Sequence, residues 1–355
     1  MMTTALDFLT NSVNMGASDL FIIAGRPLSY KKNRKLYTFS QEQLTPEDCK
    51  QLITEIYQLS KQRDMKRLNE TGDDDFSFAV KGLSRFRVSA YLQRGSLAAV
   101  IRVITFVLPK PETLGIPEKV IELGSLKKGL VLVTGPAGSG KSTTLACIID
   151  AINKYEEKHV ITLEDPLEFL HPHKKSIVSQ REIDSDTKNY VTALRASLRQ
   201  SPDVILLGEM RDYETISIAM TAAETGHLVL STLHTLGAAN TIDRIIDVFP
   251  PNQQRQIAVQ LSSVLQAVVS QQLISTLDGE HLTPAFELMS VTPAIRNMIR
   301  ENKIHQIDGL IYSASSDTMF SMDRSLLNLY NKNIISEEEA LSHASNPDML
   351  KRKLL

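Results

Sequence analysis

Residues 75–80 and 85–91 alternate polar with apolar side chains around Lys81-Gly82-Leu83-Ser84, which predicts a hairpin, and 96–107 reads as a third strand of the same sheet. Before them Thr45 and Pro46 open a helix, Thr45 as N-cap and Pro46 at the first position, with Leu52, Ile53, Ile56 and Leu59 at helical spacing. The N-terminal domain, 1–108, is therefore expected to be α+β. Residues 108–117 hold three prolines and a glycine, Pro109, Pro111, Gly115 and Pro117, and predict an interdomain linker over 109–118. From 119 to 355 the texture changes. Nearly continuous apolar runs at 129–134, 159–163, 203–207 and 227–232 alternate with helical patterns, as do strands buried on both faces in a parallel α/β sheet. Ile257, Leu261, Val264, Leu265, Val268 and Val269 predict one long amphipathic helix from Pro251 to Leu273, and the remaining C-terminal region reads as mostly helical. There is no internal repeat and no low-complexity tract.

Composition narrows this picture mainly by exclusion. Apolar residues at 42% and charged residues at 23% of 355 exclude a disordered or fibrous chain. A balance of 39 Lys+Arg against 41 Asp+Glu weakens any function that needs a strongly basic nucleic-acid surface. Cys49 and Cys147 are far apart and fit neither a disulfide framework nor a zinc knuckle, so reduced thiols are expected. No segment approaches the roughly 18 apolar residues of a membrane span, and the N-terminus has neither a charged region nor a sustained apolar core. A cytosolic protein is the expectation.

The chemistry concentrates in Gly135-Pro136-Ala137-Gly138-Ser139-Gly140-Lys141-Ser142, a full GxxxxGK[ST] between an apolar strand and a helix through Thr143, Leu145 and Ile148. Glycines let backbone N–H groups curl around phosphate oxygens at a helix N-terminus, Lys141 supplies an ammonium, and Ser142 a hydroxyl for magnesium. A plain glycine turn that starts a helix is the bland alternative, which the complete set of anchor residues disfavours. Residues 203–209 form an apolar strand ending in Glu209, with Gly208 where many P-loop proteins place Asp, and this suits a Walker B carboxylate that manages magnesium. The strand at 159–164 ends in Glu164, a candidate general base, because strand C-termini build the ligand crevice of such sheets. Either carboxylate alone could be a solvated strand end. His227 and His234 flank the run at 227–234; a lone histidine is more often structural than functional, and His171 and His173 lack further metal ligands. Arg85, Arg87, Arg94 and Arg102 cluster in the N-terminal strands, and Arg195, Arg199 and Arg211 in the second domain. Arg85 and Arg87 share a strand face, and could decorate solvent or offset charge on a transferring phosphoryl group.

Together these segments resemble the secretion and pilus-motor ATPase superfamily, along most of the chain. Residues 161–169, ITLEDPLEF, are similar to the family's Asp box; 194–212 lead into its Walker B; 222–235 are similar to its His box. Residues 294–301, AIRNMIRE, resemble an element of the retraction subfamily with Met298 in place of Leu. The resemblance implies a RecA-like P-loop ATPase domain preceded by a smaller PAS-like α+β domain. It implies ATP and Mg2+ as cofactors, residues 135–143 as the nucleotide cradle, Ser142 and Glu209 toward magnesium, and Glu164 activating water. His227 and His234 would couple nucleotide state to the domain interface, with Arg85, Arg87 and Arg102 as candidate γ-phosphate ligands. The implied assembly is a homo-oligomeric, hexameric ring at the cytoplasmic face of the membrane, docked on an inner-membrane pilus platform protein and driving type IV pilus retraction in twitching motility, with no nucleic acid. Two cysteines argue against the tetracysteine element of assembly and secretion ATPases. The chain departs from the family at Phe21, where His is usual, and in the basic turn 30–35. Rival functions are a pilus-assembly or type II secretion ATPase, a nucleic-acid translocase, and a non-hydrolysing nucleotide-bound partner.

Overall fold

The computed structural model describes residues 4–32, 35–61, 63–104, 108–314 and 316–354, which divide into two compact units. One comprises 1–107 with Glu168–Leu170, the other 108–167 with 171–355. Thr105, Phe106 and Val107 of the third expected strand, and Asn33 and Arg34 of the basic turn, lie outside the described residues.

In the first unit the strands are β1 (Asp19–Ile22), β2 (Pro27–Lys32), β3 (Lys35–Gln43), β4 (Asp73–Val80), β5 (Ser84–Gln93) and β6 (Ser96–Ile104). They pair antiparallel in the order β3-β2-β1-β6-β5-β4. The helix Pro46–Ser60 starts with the expected Thr45 cap: Asp48 N–H donates to Thr45 Oγ1 (3.2 Å), and Thr45 N–H donates back to Asp48 Oδ2 (2.7 Å). This reciprocal box satisfies two backbone donors that a helix start otherwise leaves unpaired. Its apolar stripe, Leu52, Ile53 and Ile56, buries against Phe86, Val88 and Ile101 of the sheet. Strand alternation then puts Arg85 and Arg87 on the opposite face of β5.

The second unit holds β7 (Gly129–Thr134), β8 (His159–Glu164), β9 (Ile177–Glu182), β10 (Val204–Leu207), β11 (Leu228–Leu233), β12 (Leu265–Ser275), β13 (Leu282–Ser290) and β14 (Met319–Phe320). The order is β14-β13-β12-β7-β11-β10-β8-β9, parallel from β12 to β9 and antiparallel at β13 and β14. The continuous apolar runs arise because each strand feeds two cores. Leu130 and Leu132 of β7 join one cluster, and Val131 and Val133 join another on the opposite face with Leu145 and Ile148 of the helix Lys141–Tyr155. Residues 109–118, expected as a linker, are packed within the second unit, with Ile116, and Val120 just after them, buried in that second cluster.

The expected helix from Pro251 to Leu273 ends at Val264, and Leu265 begins β12. An unbroken apolar run fits helical spacing and a doubly buried strand equally well, and here β-branched Val268 and Val269 on opposite cores decide for the strand. The C-terminal region is likewise not purely helical, since β13 and β14 complete the sheet. AIRNMIRE forms the helix Pro293–Arg300, with Ile295 and Ile299 in the core and Met298 packed against it. Its Arg296 closes the preceding helix: Nη1 donates to the carbonyls of Ser262 (2.6 Å) and Ser263 (3.0 Å), and Nη2 to Gln266 Oε1 (3.1 Å). A guanidinium at a helix C-terminus satisfies orphan carbonyls and complements the dipole.

Glu287 on β13 performs the converse task. Its carboxylate accepts from the N–H of Ala238 (3.0 Å) and of Met322 (3.5 Å), the first residues of the helices Ala238–Asp247 and Met322–Asn331. Burial pushes this carboxyl up to about 7 from 4.5, against the lowering effect of those two donors. Folded chain therefore holds the proton more tightly than unfolded chain. The stabilisation is fully present below the unfolded value and is lost as pH rises through about 7. Between pH 5 and 8 the unfolding free energy of wild type should fall relative to Glu287→Gln by up to ~3 kcal/mol, checked by denaturant midpoints of both proteins. The comparison must be between the two proteins, because buried His171, held down at about 4 chiefly by desolvation, acts with the opposite sign.

Candidate active site

Parallel strands have their C-terminal ends on one edge, and four neighbours, β7, β11, β10 and β8, each deliver a chemical group there. From β7 comes the loop Gly135 to Gly140, leading into the helix that starts at Lys141. Gly135 has φ +143°, and a Cβ on it would sit 2.1 Å from the Gln271 carbonyl oxygen, so glycine is needed at the loop's first position. Lys141 is buried at the mouth of the loop, its Nζ donating to the carbonyls of Gly135 (2.8 Å) and Pro136 (2.9 Å). Ser142 and Thr143 follow, half-buried in the first helical turn.

Glu209 follows β10, and β11 delivers His234. One oxygen of Glu209 pairs with Arg211 Nη2 (2.6 Å) and the other lies 3.5 Å from His234 Nε2. The turn that presents Glu209 is pinned on two sides: Gly208 N–H donates to Leu163 O (2.8 Å), and Thr232 Oγ1 donates to Gly208 O (2.6 Å). Gly208, noted as a departure from Asp, has a steric reason as well, since a Cβ there would lie 2.8 Å from the Tyr190 hydroxyl. Glu164 ends β8, with its Oε1 3.4 Å from Gln180 Nε2. The Tyr190 phenol is pushed up first by burial and then by the negative charges of Asp165, Glu209 and Glu164. Glu209 and Ser142 are oxygen donors, the chemistry that suits magnesium.

Other expected residues lie elsewhere. His227 stands at the start of β11, about 20 Å along the strand from His234, and its Nδ1 lies 2.9 Å from the Ala222 carbonyl at the end of the helix Tyr213–Glu224. Arg195 pairs with Glu214 (2.7 Å). In the first unit Arg87 and Arg102 are register partners across β5 and β6, with Arg85 one step along the same face. Arg102 Nε also meets Asp19 Oδ1 at 3.0 Å, an exposed pair of small energetic weight. Of the His171-Pro172-His173 segment, His173 Nδ1 accepts from Val178 N–H (3.1 Å), and the Pro172 carbonyl from Asn153 (2.7 Å). Beside Gly140 and Thr143 a cavity of about 440 Å³ is walled by Leu114, Ile116, Leu273 and Pro284. Sequence reading missed this wall: its residues come from the stretch taken as a linker and from β12 and β13. Tyr190 and Gln271 were missed too, because a single tyrosine or glutamine carries no spacing signal.

The profile of the type II/IV secretion system protein family matches residues 4–306. The chain belongs to that family. It is 44% identical over 342 residues to the type IV pilus retraction ATPase PilT of Pseudomonas aeruginosa, covering 96% of this chain and 98% of PilT. It is 46% identical over 276 residues to a twitching motility protein of Neisseria gonorrhoeae, covering 78% and 74%. The crystal structure of the pilus retraction motor PilT with bound ADP superposes with a TM-score of 0.90 at 44% identity, covering 98% of this chain and 99% of that one. The chain is thus a nucleotide-binding P-loop ATPase with the fold of the pilus retraction motors. Among the described residues no helix is long and apolar enough to cross a membrane.

Proposed function

We propose that this chain is the ATP-hydrolysing motor of type IV pilus retraction, working as a hexameric ring on an inner-membrane platform protein. The observation that carries the chemistry is the single edge on which Lys141, Glu164, Glu209 and His234 meet. In this reading the backbone N–H groups of 135–143 hold the nucleotide phosphates, and the 440 Å³ cavity beside Gly140 receives the base between Ile116 and Leu273. Lys141 exchanges its carbonyl partners for phosphate oxygens. Glu164 accepts a proton from the attacking water, and its place at the end of β8, with β11 and β10 between it and the P-loop strand, gives room for that water. Ser142 and Glu209 would hold magnesium, which when bound offsets the charge of the phosphate oxygens. His234 senses Glu209 across 3.5 Å and passes its state to the helix Ala238–Asp247, while His227 serves the far end of the same strand. Arg85, Arg87 and Arg102 present guanidinium groups on one sheet face; like charges in register on β5 and β6 favour an anion there, as the γ-phosphate would be.

Likeness along almost the whole of PilT supports retraction over assembly or secretion. The test has two arms. Purified Lys141→Ala should lose ATP turnover at least about 100-fold, since the loop loses the ammonium that meets the developing charge. Source cells carrying that allele should display pili that do not retract. Normal turnover would remove the ATPase mechanism, and absent pili would replace retraction with assembly.

A further inference from the structure

Strand β12 carries Ser270, Gln271 and Gln272 in succession, all buried, in a strand otherwise apolar from Leu265 to Val269 apart from half-buried Gln266. Three adjacent buried polar side chains are costly unless each is paired. Each is, and to a different part of the unit. Ser270 Oγ accepts from Gly237 N–H (3.0 Å), three residues after His234. Gln272 Nε2 donates to the His343 carbonyl (3.1 Å) near the C-terminus. Gln271 faces the other way, and its Oε1 accepts from Thr144 Oγ1 (2.7 Å) in the P-loop helix.

The contact of Gln271 with the phosphate loop goes beyond that bond. Its carbonyl oxygen is so close to Gly135 that no side chain fits there, and its amide nitrogen would lie 2.9 Å from a Cβ on Gly140. One residue therefore bears on the first and last glycines of the loop and on the helix that follows. The loop itself is made of glycine, proline, alanine and serine, which supply almost no packing to fix their own spacing.

We propose that Gln271 is a positioning residue for ATP hydrolysis: it sets the span of the loop from Gly135 to Gly140 through the Thr144 hydrogen bond. The neighbouring Ser270 holds the loop that follows His234, so β12 fixes the phosphate cradle on one face and the His234 loop on the other. A loop displaced by about 1 Å still binds phosphate through many N–H groups, but misaligns the reacting atoms, a loss that falls on kcat more than on affinity.

The proposal rests on the ATPase reading and not on retraction. Gln271→Met keeps the volume and removes the acceptor; Thr144→Val removes the donor. With wild type hydrolysing ATP, Gln271→Met should lower kcat about 10- to 100-fold, with KM for ATP and the Kd of a fluorescent ADP analogue within about threefold of wild type. The double variant should be no slower than the worse single one, because both remove one interaction. Thr144→Ser, which restores the hydroxyl, should recover most of the turnover. A soluble, nucleotide-binding Gln271→Met with kcat within twofold of wild type overturns the proposal, as do multiplicative losses in the double variant. Inactive wild type would instead count against the ATPase reading itself.

Discussion

Glu164→Gln is expected to lower ATP turnover about 10²- to 10⁴-fold, the range general-base catalysis supplies, while nucleotide affinity stays within about threefold. The substitution is isosteric, and an amide oxygen still accepts from Gln180 Nε2, so the strand end keeps its local partner. What disappears is the capacity to take a proton from water. The phosphate cradle comes from β7 and is untouched, which is why affinity should hold and why this variant separates from Lys141→Ala. Steady-state phosphate release together with equilibrium titration of a fluorescent nucleotide reads both quantities. Turnover within threefold of wild type would move the base role to another carboxylate, and Asp165 and Glu209 are the ones that share the Tyr190 phenol.

The second large effect concerns the folding of the first unit. Asp74 on β4 is buried and accepts from Tyr57 Oη (2.8 Å) and from Arg63 Nε (3.1 Å), with Arg63 Nη2 also bound to its other oxygen. Arg67 Nε stands at 3.8 Å. The Tyr57 phenol is raised first by burial and then by its bond to Asp74. Asp74→Ala leaves a buried hydroxyl without an acceptor and strips two arginines of their anion. Arg63 remains partly solvated at 30% side-chain exposure, so the loss should be about 3 kcal/mol, near the lower end of the range for a broken buried pair. For a unit of about 100 residues that lowers the thermal midpoint by more than about 10 °C. Asp74→Asn keeps an acceptor for Tyr57 and should lose less than half as much. Calorimetry of the three proteins measures this, and a shift under about 3 °C for Asp74→Ala would mean that the network contributes little.

Where a local rule has one solution, the residues alone were enough. Thr45, Pro46 and Asp48 can start a helix in only one register, and the box forms. Alternation at 84–93 buries Phe86 and Val88 and turns Arg85 and Arg87 outward, as a period of two demands. The phosphate loop is legible because each anchor residue has a separate steric or electrostatic reason.

Where two periods fit one run, only packing could choose. Residues 265–275 satisfy a helix and a doubly buried strand alike, and the presence of β7 on one side and β13 on the other settles the matter. The same holds for the stretch 109–118: prolines break regular structure but do not say whether the chain is free or lies against a core, and here Ile116 is buried. For the site, sequence named the carboxylates and both histidines and put the crevice at strand C-termini, yet it cannot tell which strand ends are neighbours there. The parallel order of β7, β11, β10 and β8 puts His234 beside Glu209 and His227 at the opposite edge. Gln271 and Tyr190 came from structure alone, since a single polar residue acquires its role from what is folded against it, 127 positions away in the case of Thr144 and Gln271. Thus backbone chemistry and periodicity, both local in the chain, determined the elements and the phosphate loop; long-range burial determined which strand ends meet and what holds the loop in place.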